Sequence, residues 1–215
     1  MSSDHSLNHL GSIRTAVFDL GAVLFTPHPL FTPQRSDILA HLAQRLGVMP
    51  DALQARLWHG PDIEAANVGA ITAEEYCRRC GVRLGADELL VRALIEDAFS
   101  GERLNDQLVD YIRTLRPCIR VAALTNNWSF GRTLIERRGI SDLFDTIIIS
   151  AEEGICKPQP RIYEIMLERL EMIPEQAIFV DDSAENGAAA RRLGIYGIQF
   201  RCTAQTIAEL NALLR

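Results

Sequence analysis

Short apolar runs and helix-period stretches alternate along the second half of this chain. The runs at 119–124, 146–150, 177–180 and 196–200 are rich in Val, Ile and Phe, the composition of buried strands. Between them, apolar positions recur at helical spacing near 129–138, 160–171, 184–193 and 203–214, and Gly139 and Gly194 stand where a left-handed residue closes a helix. Strand alternating with helix predicts βαβ units. The fold class is therefore α/β, a Rossmann-like parallel sheet flanked by helices on both faces. A further run at 14–18 supplies the first strand of the same sheet.

Residues 27–100 break the alternation. They show no strand pattern and predict helices at 33–46, with apolar Ile38, Leu39, Leu42 and Leu46, and at 50–58, 72–80 and 86–99. A helical block inserted after the first strand lies over the carboxyl edge of the sheet as a lid, with Pro27, Pro29 and Gly101 near its hinges. The organisation expected is a loose polar tail at 1–12, an α/β core at 13–26 and 101–215, and an inserted α-helical cap domain at 27–100.

Composition narrows the partners. The 215 residues suffice for one core and a smaller inserted domain, and a formal charge of −6 argues against binding nucleic acid or an anionic membrane. The pair Arg191-Arg192 reads as a solvated helix face. No apolar run approaches the roughly 20 residues of a membrane helix, and the opening stretch has no signal-peptide core. The five cysteines are scattered; Cys77 and Cys80 share one helix face and no second pair follows at a zinc-site distance. Free thiols and a cytoplasmic location follow. Oligomeric state is not legible.

Four places at strand ends carry the chemistry. Asp19 ends the first run, Thr125-Asn126-Asn127 follow the second, Lys157 opens a Lys-Pro step before the helix at 160, and Asp181-Asp182 follow Val180, with Asn186 just beyond. Each alone reads as a helix cap, a turn or a surface lysine. Together at one sheet edge they supply carboxylates, amide and hydroxyl donors and an ammonium, the parts of a magnesium-dependent phosphoryl-transfer site.

The segments Val17-Phe18-Asp19-Leu20-Gly21-Ala22-Val23-Leu24, Leu124-Thr125-Asn126-Asn127-Trp128, Lys157-Pro158 and Phe179-Val180-Asp181-Asp182-Ser183-Ala184-Glu185-Asn186 resemble the four motifs of the haloacid dehalogenase superfamily, in its subfamily with a helical cap. The Thr-Asn-Asn-Trp turn and the Asp-Asp-x-x-x-Asn ending resemble the phosphatase domain at the N-terminus of soluble epoxide hydrolases. The Asp-Leu-Gly start resembles bacterial sugar-1-phosphate phosphatases. The resemblance implies that Asp19 attacks phosphorus and also binds Mg²⁺, with the Gly21 carbonyl and Asp182 as further metal ligands. It implies that Thr125 and the Asn126 amide hold the phosphoryl oxygens and that Lys157 neutralises charge. Asp181 and Asn186 then act around the metal site, indirectly or through water. The implied substrate is a small phosphorylated metabolite.

Gly21 departs from the pattern. Most phosphatases of the superfamily resembled here carry Asp at that position, where it protonates the leaving oxygen and later activates water. General acid–base help is worth about 10²–10⁴ in rate, so alkyl esters should turn over poorly unless another group supplies the proton. Sugar 1-phosphates and acyl phosphates lose less. His28, in the loop towards the cap, is a possible substitute acid or a solvent-facing histidine. Trp58 in the cap is a substrate-selecting or packing residue, and Trp128 either lines the pocket or covers the sheet edge. Two other readings stand beside the phosphatase: hydrolytic dehalogenation of a 2-haloacid without magnesium, and a degenerate relative that binds a phospho-ligand without turning it over.

Overall fold

The computed structural model describes residues 13–25, 40, 43–100 and 102–214. Five parallel strands form one sheet: β1 (Thr15–Phe18), β2 (Arg120–Thr125), β3 (Thr146–Ile149), β4 (Ala177–Asp181) and β5 (Tyr196–Gln199). Their order is β3-β2-β1-β4-β5, which puts the first strand at the centre. Each strand lies within a residue or two of the run that predicts it.

Side-chain alternation divides the central strands between two buried faces. Ala16 and Phe18, Val121 and Ala123, and Ile178 and Val180 join one apolar cluster; Val17, Ala122, Leu124 and Phe179 join another. Leu108, Val109, Ile112 and Leu115 of one helix (Asp106–Leu115) cover the first face together with Leu210 of another (Thr203–Leu213). Ile162, Tyr163, Met166 and Leu170 from Pro160–Leu170 and Ala189 and Ala190 from Ala184–Arg192 cover the second. Helices on both faces explain why the strands read as unbroken apolar runs.

Among the described residues the α-helices with full bounds are, in chain order, α1 (Pro50–Trp58), α2 (Pro61–Asn67), α3 (Ala73–Leu84), α4 (Glu88–Ser100), α5 (Asp106–Leu115), α6 (Gly131–Arg137), α7 (Ser150–Glu153), α8 (Pro160–Leu170), α9 (Ala184–Arg192) and α10 (Thr203–Leu213). Three of these lie outside the predicted set. Helix α5 is signalled by its cap, Asn105, whose side chain accepts the Leu108 N–H at 3.2 Å, and by one apolar face. Helix α2 starts at a proline after Gly60, whose φ of 107° only glycine adopts without strain. The four-residue α7 occupies the end of the 146–150 run, where Ser150 leaves the strand. The helix predicted at 72–80 continues to Leu84 and stops at Gly85, φ 65°. Most of the predicted helix 33–46 lies outside the described residues, as do His28, Pro27, Pro29 and Gly101.

Helices α1 to α4 have a core of their own, built on Leu53, Leu57, Tyr76, Cys80, Val91 and Leu94. The Tyr76 hydroxyl donates to the Leu57 carbonyl within it. Trp128, from the turn after β2, joins this core instead of the sheet's. The block meets the sheet edge at α7, where the Ser150 Oγ donates to the Asn67 carbonyl at 2.5 Å. At Gly69, φ 68°, an added Cβ would lie inside the van der Waals surface of the Ala151 carbonyl. The five cysteines are free, with Cys77 and Cys80 buried. Among the described residues no helix is long and apolar enough to cross a membrane.

One substitution tests the core of the sheet and another the docking of the helical block. Ile112→Ala, at a fully buried position, should lower unfolding free energy by about 2–5 kcal/mol in urea denaturation. Gly69→Ala combines a positive φ with backbone overlap and should cost at least about 1 kcal/mol in the same assay. An unchanged value for Gly69→Ala would show that this close approach does not dock the helical block.

Candidate active site

The register of the central strands assembles the site. Phe18 pairs with Ala123 of β2 and with Val180 of β4. The next residue along each chain therefore brings Asp19, Leu124 and Asp181 side by side at the carboxyl edge, where open α/β sheets place their ligands. Lys157 arrives from the loop between α7 and α8 and is only 3% exposed. Its Nζ lies 2.9 Å from Asp19 Oδ1 and 2.7 Å from Asp181 Oδ2, and it donates to the Leu124 carbonyl at 3.0 Å. An ammonium has three hydrogens, and each has an acceptor here.

The partners are themselves fixed. Asp19 Oδ1 also accepts the Leu20 N–H at 2.8 Å. Fully buried Asp181 accepts the Ser183 N–H at 2.8 Å and the Asn186 side-chain amide at 3.0 Å on Oδ1. Asn126 holds the Lys157 main chain from both sides, donating to its carbonyl and accepting its N–H, both at 2.9 Å. The Asn126 side-chain amide is thus committed to the lysine loop. The Asn127 N–H donates to Ser150 Oγ at 3.0 Å, which links the turn after β2 to the helical block through one hydroxyl.

Burial and charge set the protonation of the cluster. Desolvation pushes Asp19 up, Lys157 pulls it down and Asp181 pushes it up again, for a pKa of about 6. Burial opposes the charge on Lys157, but the attraction of Asp19 and Asp181 outweighs it and the lysine is raised. Asp182 is raised by desolvation of its carboxyl and by its neighbour Asp181. Carboxylate oxygens of Asp19, Asp181 and Asp182 lie within 4.8 Å of one another. Three carboxylates face a single ammonium, and this excess of hard oxygen donors suits a cation such as Mg²⁺.

Above the cluster opens a cleft of about 320 Å³. Its floor and walls include Asp19, Gly21, Thr125, Asn126, Lys157 and Asn186 from the sheet edge and Trp58, Ile63 and Asn67 from the helical block. A second groove of about 690 Å³ shares Trp128, Leu134 and Arg138 with it. Both tryptophans line the cleft while packing: Trp128 lies 4.5 Å from the Tyr76 ring and 6.1 Å from the Trp58 ring, centroid to centroid. Asp182 is exposed and joins the carboxylate cluster without lining the cleft. His28 lies outside the described residues. Four residues unmarked in the sequence also take part: Ser150 and Asn67 in the bond that docks the helical block, and Glu102 and Arg138 in the cleft wall. They stand on a strand end, a helix end and loops, with no spacing that would single them out.

The family profile for haloacid dehalogenase-like hydrolases matches residues 13–194, and the chain belongs to that family. Among its relatives, mouse acyl-CoA dehydrogenase family member 10 is 32% identical over 94% of this chain, and pig bifunctional epoxide hydrolase 2 is 31% identical over 93%. The chain spans only 19% and 38% of those two proteins. A sesquiterpene phosphatase of Aspergillus oryzae is 28% identical over 94% of this chain and 97% of its own length. A HAD-like family hydrolase from Porphyromonas gingivalis superposes with a TM-score of 0.74 at 26% identity, over 95% of this chain and 98% of that one. A HAD family enzyme from Bacteroides thetaiotaomicron, solved with magnesium and inorganic phosphate, gives 0.71 at 20% identity over 88% and 94%.

Removing the ammonium would leave two buried carboxylates facing each other. Lys157→Ala should cost about 3–5 kcal/mol near neutral pH in metal-free buffer. Without its partner, Asp19 takes up a proton well above the pKa of the unfolded chain, so the deficit should shrink as pH falls from about 7 towards 4. Denaturation curves across that range check the sign; a deficit that grows on acidification would contradict the arrangement.

Proposed function

We propose that this protein is a magnesium-dependent phosphatase that hydrolyses a small phosphorylated metabolite by way of a phosphoryl group carried on Asp19. The observation that carries the reading is the floor of the cleft, where the Asp19 carboxylate, held against Lys157 at 2.9 Å, faces space walled by Thr125 and Asn126. In this reading the free oxygen of Asp19 attacks phosphorus. Lys157 balances the charge of the nucleophile and of the incoming phosphoryl oxygens. The Thr125 hydroxyl and the Asn126 main-chain amide hold those oxygens, since the Asn126 side chain is engaged with Lys157. Asp181 keeps the lysine in place, and Asn186 keeps Asp181 in place.

Asp19, Asp182 and the Gly21 carbonyl are the groups that would hold Mg²⁺. The clustered carboxylates fit that ion, which supplies positive charge against the phosphate when bound. Support also comes from the phosphatase among the relatives and from the magnesium and phosphate in an enzyme of the same fold. The proposed division of the chain is a core at 13–26 and 101–215 with a cap at 27–100, in which Trp58 helps select substrate. Sugar 1-phosphates and acyl phosphates are the substrates to screen first, because Gly21 itself bears no proton donor. The free cysteines accord with a cytoplasmic setting.

Phosphate release from a panel of small phosphate esters should require Mg²⁺ and should fall by at least about 10³ in Asp19→Asn, a near-isosteric change that removes the nucleophile. Hydroxylamine should trap a labile phosphoryl group in the parent and not in the variant. Undiminished turnover by Asp19→Asn would refute the reading, and halide release from 2-haloacids without magnesium would replace it.

A further inference from the structure

Phosphoryl transfer to Asp19 needs a proton at the leaving oxygen, and position 21 cannot supply one. The space there is open: a Cβ added to Gly21 would meet nothing within 4 Å. A substitute donor must face the same cleft. Among the described residues of its wall the carboxylates are Asp19 and Glu102, and the hydrogens of Lys157 are already committed.

Glu102 stands where the chain returns from the helical block to the core, two residues before Leu104, which bridges to Phe25. Its side chain is 13% exposed. Arg138 fixes its main chain, donating to the Glu102 carbonyl at 2.6 Å, and lies 5.2 Å from the centre of the Phe25 ring. Between the two side chains the approach is looser: Arg138 Nη2 is 3.8 Å from Glu102 Oε2, beyond hydrogen-bond length. The backbone is therefore held by a hydrogen bond, and the carboxyl by an ion pair at a longer distance. Desolvation pushes this carboxyl up to about 7, and Arg138, the charged group that faces it, pulls in the other direction.

We propose that Glu102 is the general acid and base of this site, replacing a side chain absent at position 21. The proposal rests on the phosphatase reading and adds a residue to it. In the first step an Asp19 oxygen bonds to phosphorus as the ester P–O bond breaks. The proton of the Glu102 carboxyl passes to the departing oxygen, leaving an alcohol and a Glu102 carboxylate. In the second step that carboxylate takes a proton from water as the water oxygen bonds to phosphorus and the bond to Asp19 breaks, which frees inorganic phosphate and restores both side chains.

The test compares alkyl and aryl phosphates with magnesium present. The parent should show weak dependence on leaving-group pKa and a rate that falls as pH rises through about 7. Glu102→Gln should lose about 10²–10⁴ on alkyl esters and at least about tenfold less on aryl esters, and the pH limb should disappear. Adding Gly21→Asp, at a position where a Cβ meets nothing within 4 Å, should restore alkyl turnover in the Glu102→Gln background. Equal losses on both ester classes with the pH limb intact would overturn the assignment, since a structural role predicts that pattern. Should Glu102→Gln fail to fold, Arg138→Gln reads the same group: the limb should move to higher pH, and a limb that stays in place overturns the proposal. A parent that releases no phosphate from either class overturns the phosphatase reading and this inference with it.

Discussion

One buried ammonium organises the molecule's chemistry. Lys157 lies between Asp19 and Asp181 at the centre of the sheet edge, with a main-chain carbonyl as its third partner. Taking such charges out of water costs several kcal/mol per ion, and the mutual attraction offsets that only if every hydrogen and lone pair is satisfied. The structure meets this demand with the Leu20 and Ser183 amides, the Asn186 side chain and the two bonds from Asn126 to the lysine loop. Buried ion pairs elsewhere are often replaced by apolar residues without loss of stability, so a charged cluster in a cleft points to chemistry more than to stability.

The same geometry explains why the first strand is central. Only a strand with neighbours on both sides can set its terminal carboxylate between a carbonyl of β2 and a carboxylate of β4. The loop carrying Lys157 then has one place to go, and its residues are held there by the turn after β2.

That turn also binds the helical block to the site. Trp128 packs into the core formed by helices α1 to α4, while the preceding Thr125 and Asn126 line the cleft floor. Ser150 joins the Asn127 main chain to Asn67 of the block. The turn that lines the cleft floor and the helical block above it are therefore joined by direct packing and by a shared hydroxyl.

Local pattern was enough for the strands and for most of the described helices, because a buried parallel strand and an amphipathic helix write their periods directly into the chain. The family resemblance then assigned roles to Asp19, Lys157 and Asp182 that fold propensity alone could not. Helix α5 carries equally plain signals in its Asn105 cap and its apolar face at Leu108, Val109, Ile112 and Leu115. What tertiary structure decided is which side chains meet across long separations. Burial turned Lys157 from an ordinary surface residue into a shared counter-ion, the helical core claimed Trp128, and the return of the chain from that block set Glu102 in the cleft wall. Desolvation and pairing depend on distance in space, and no period along the chain encodes them.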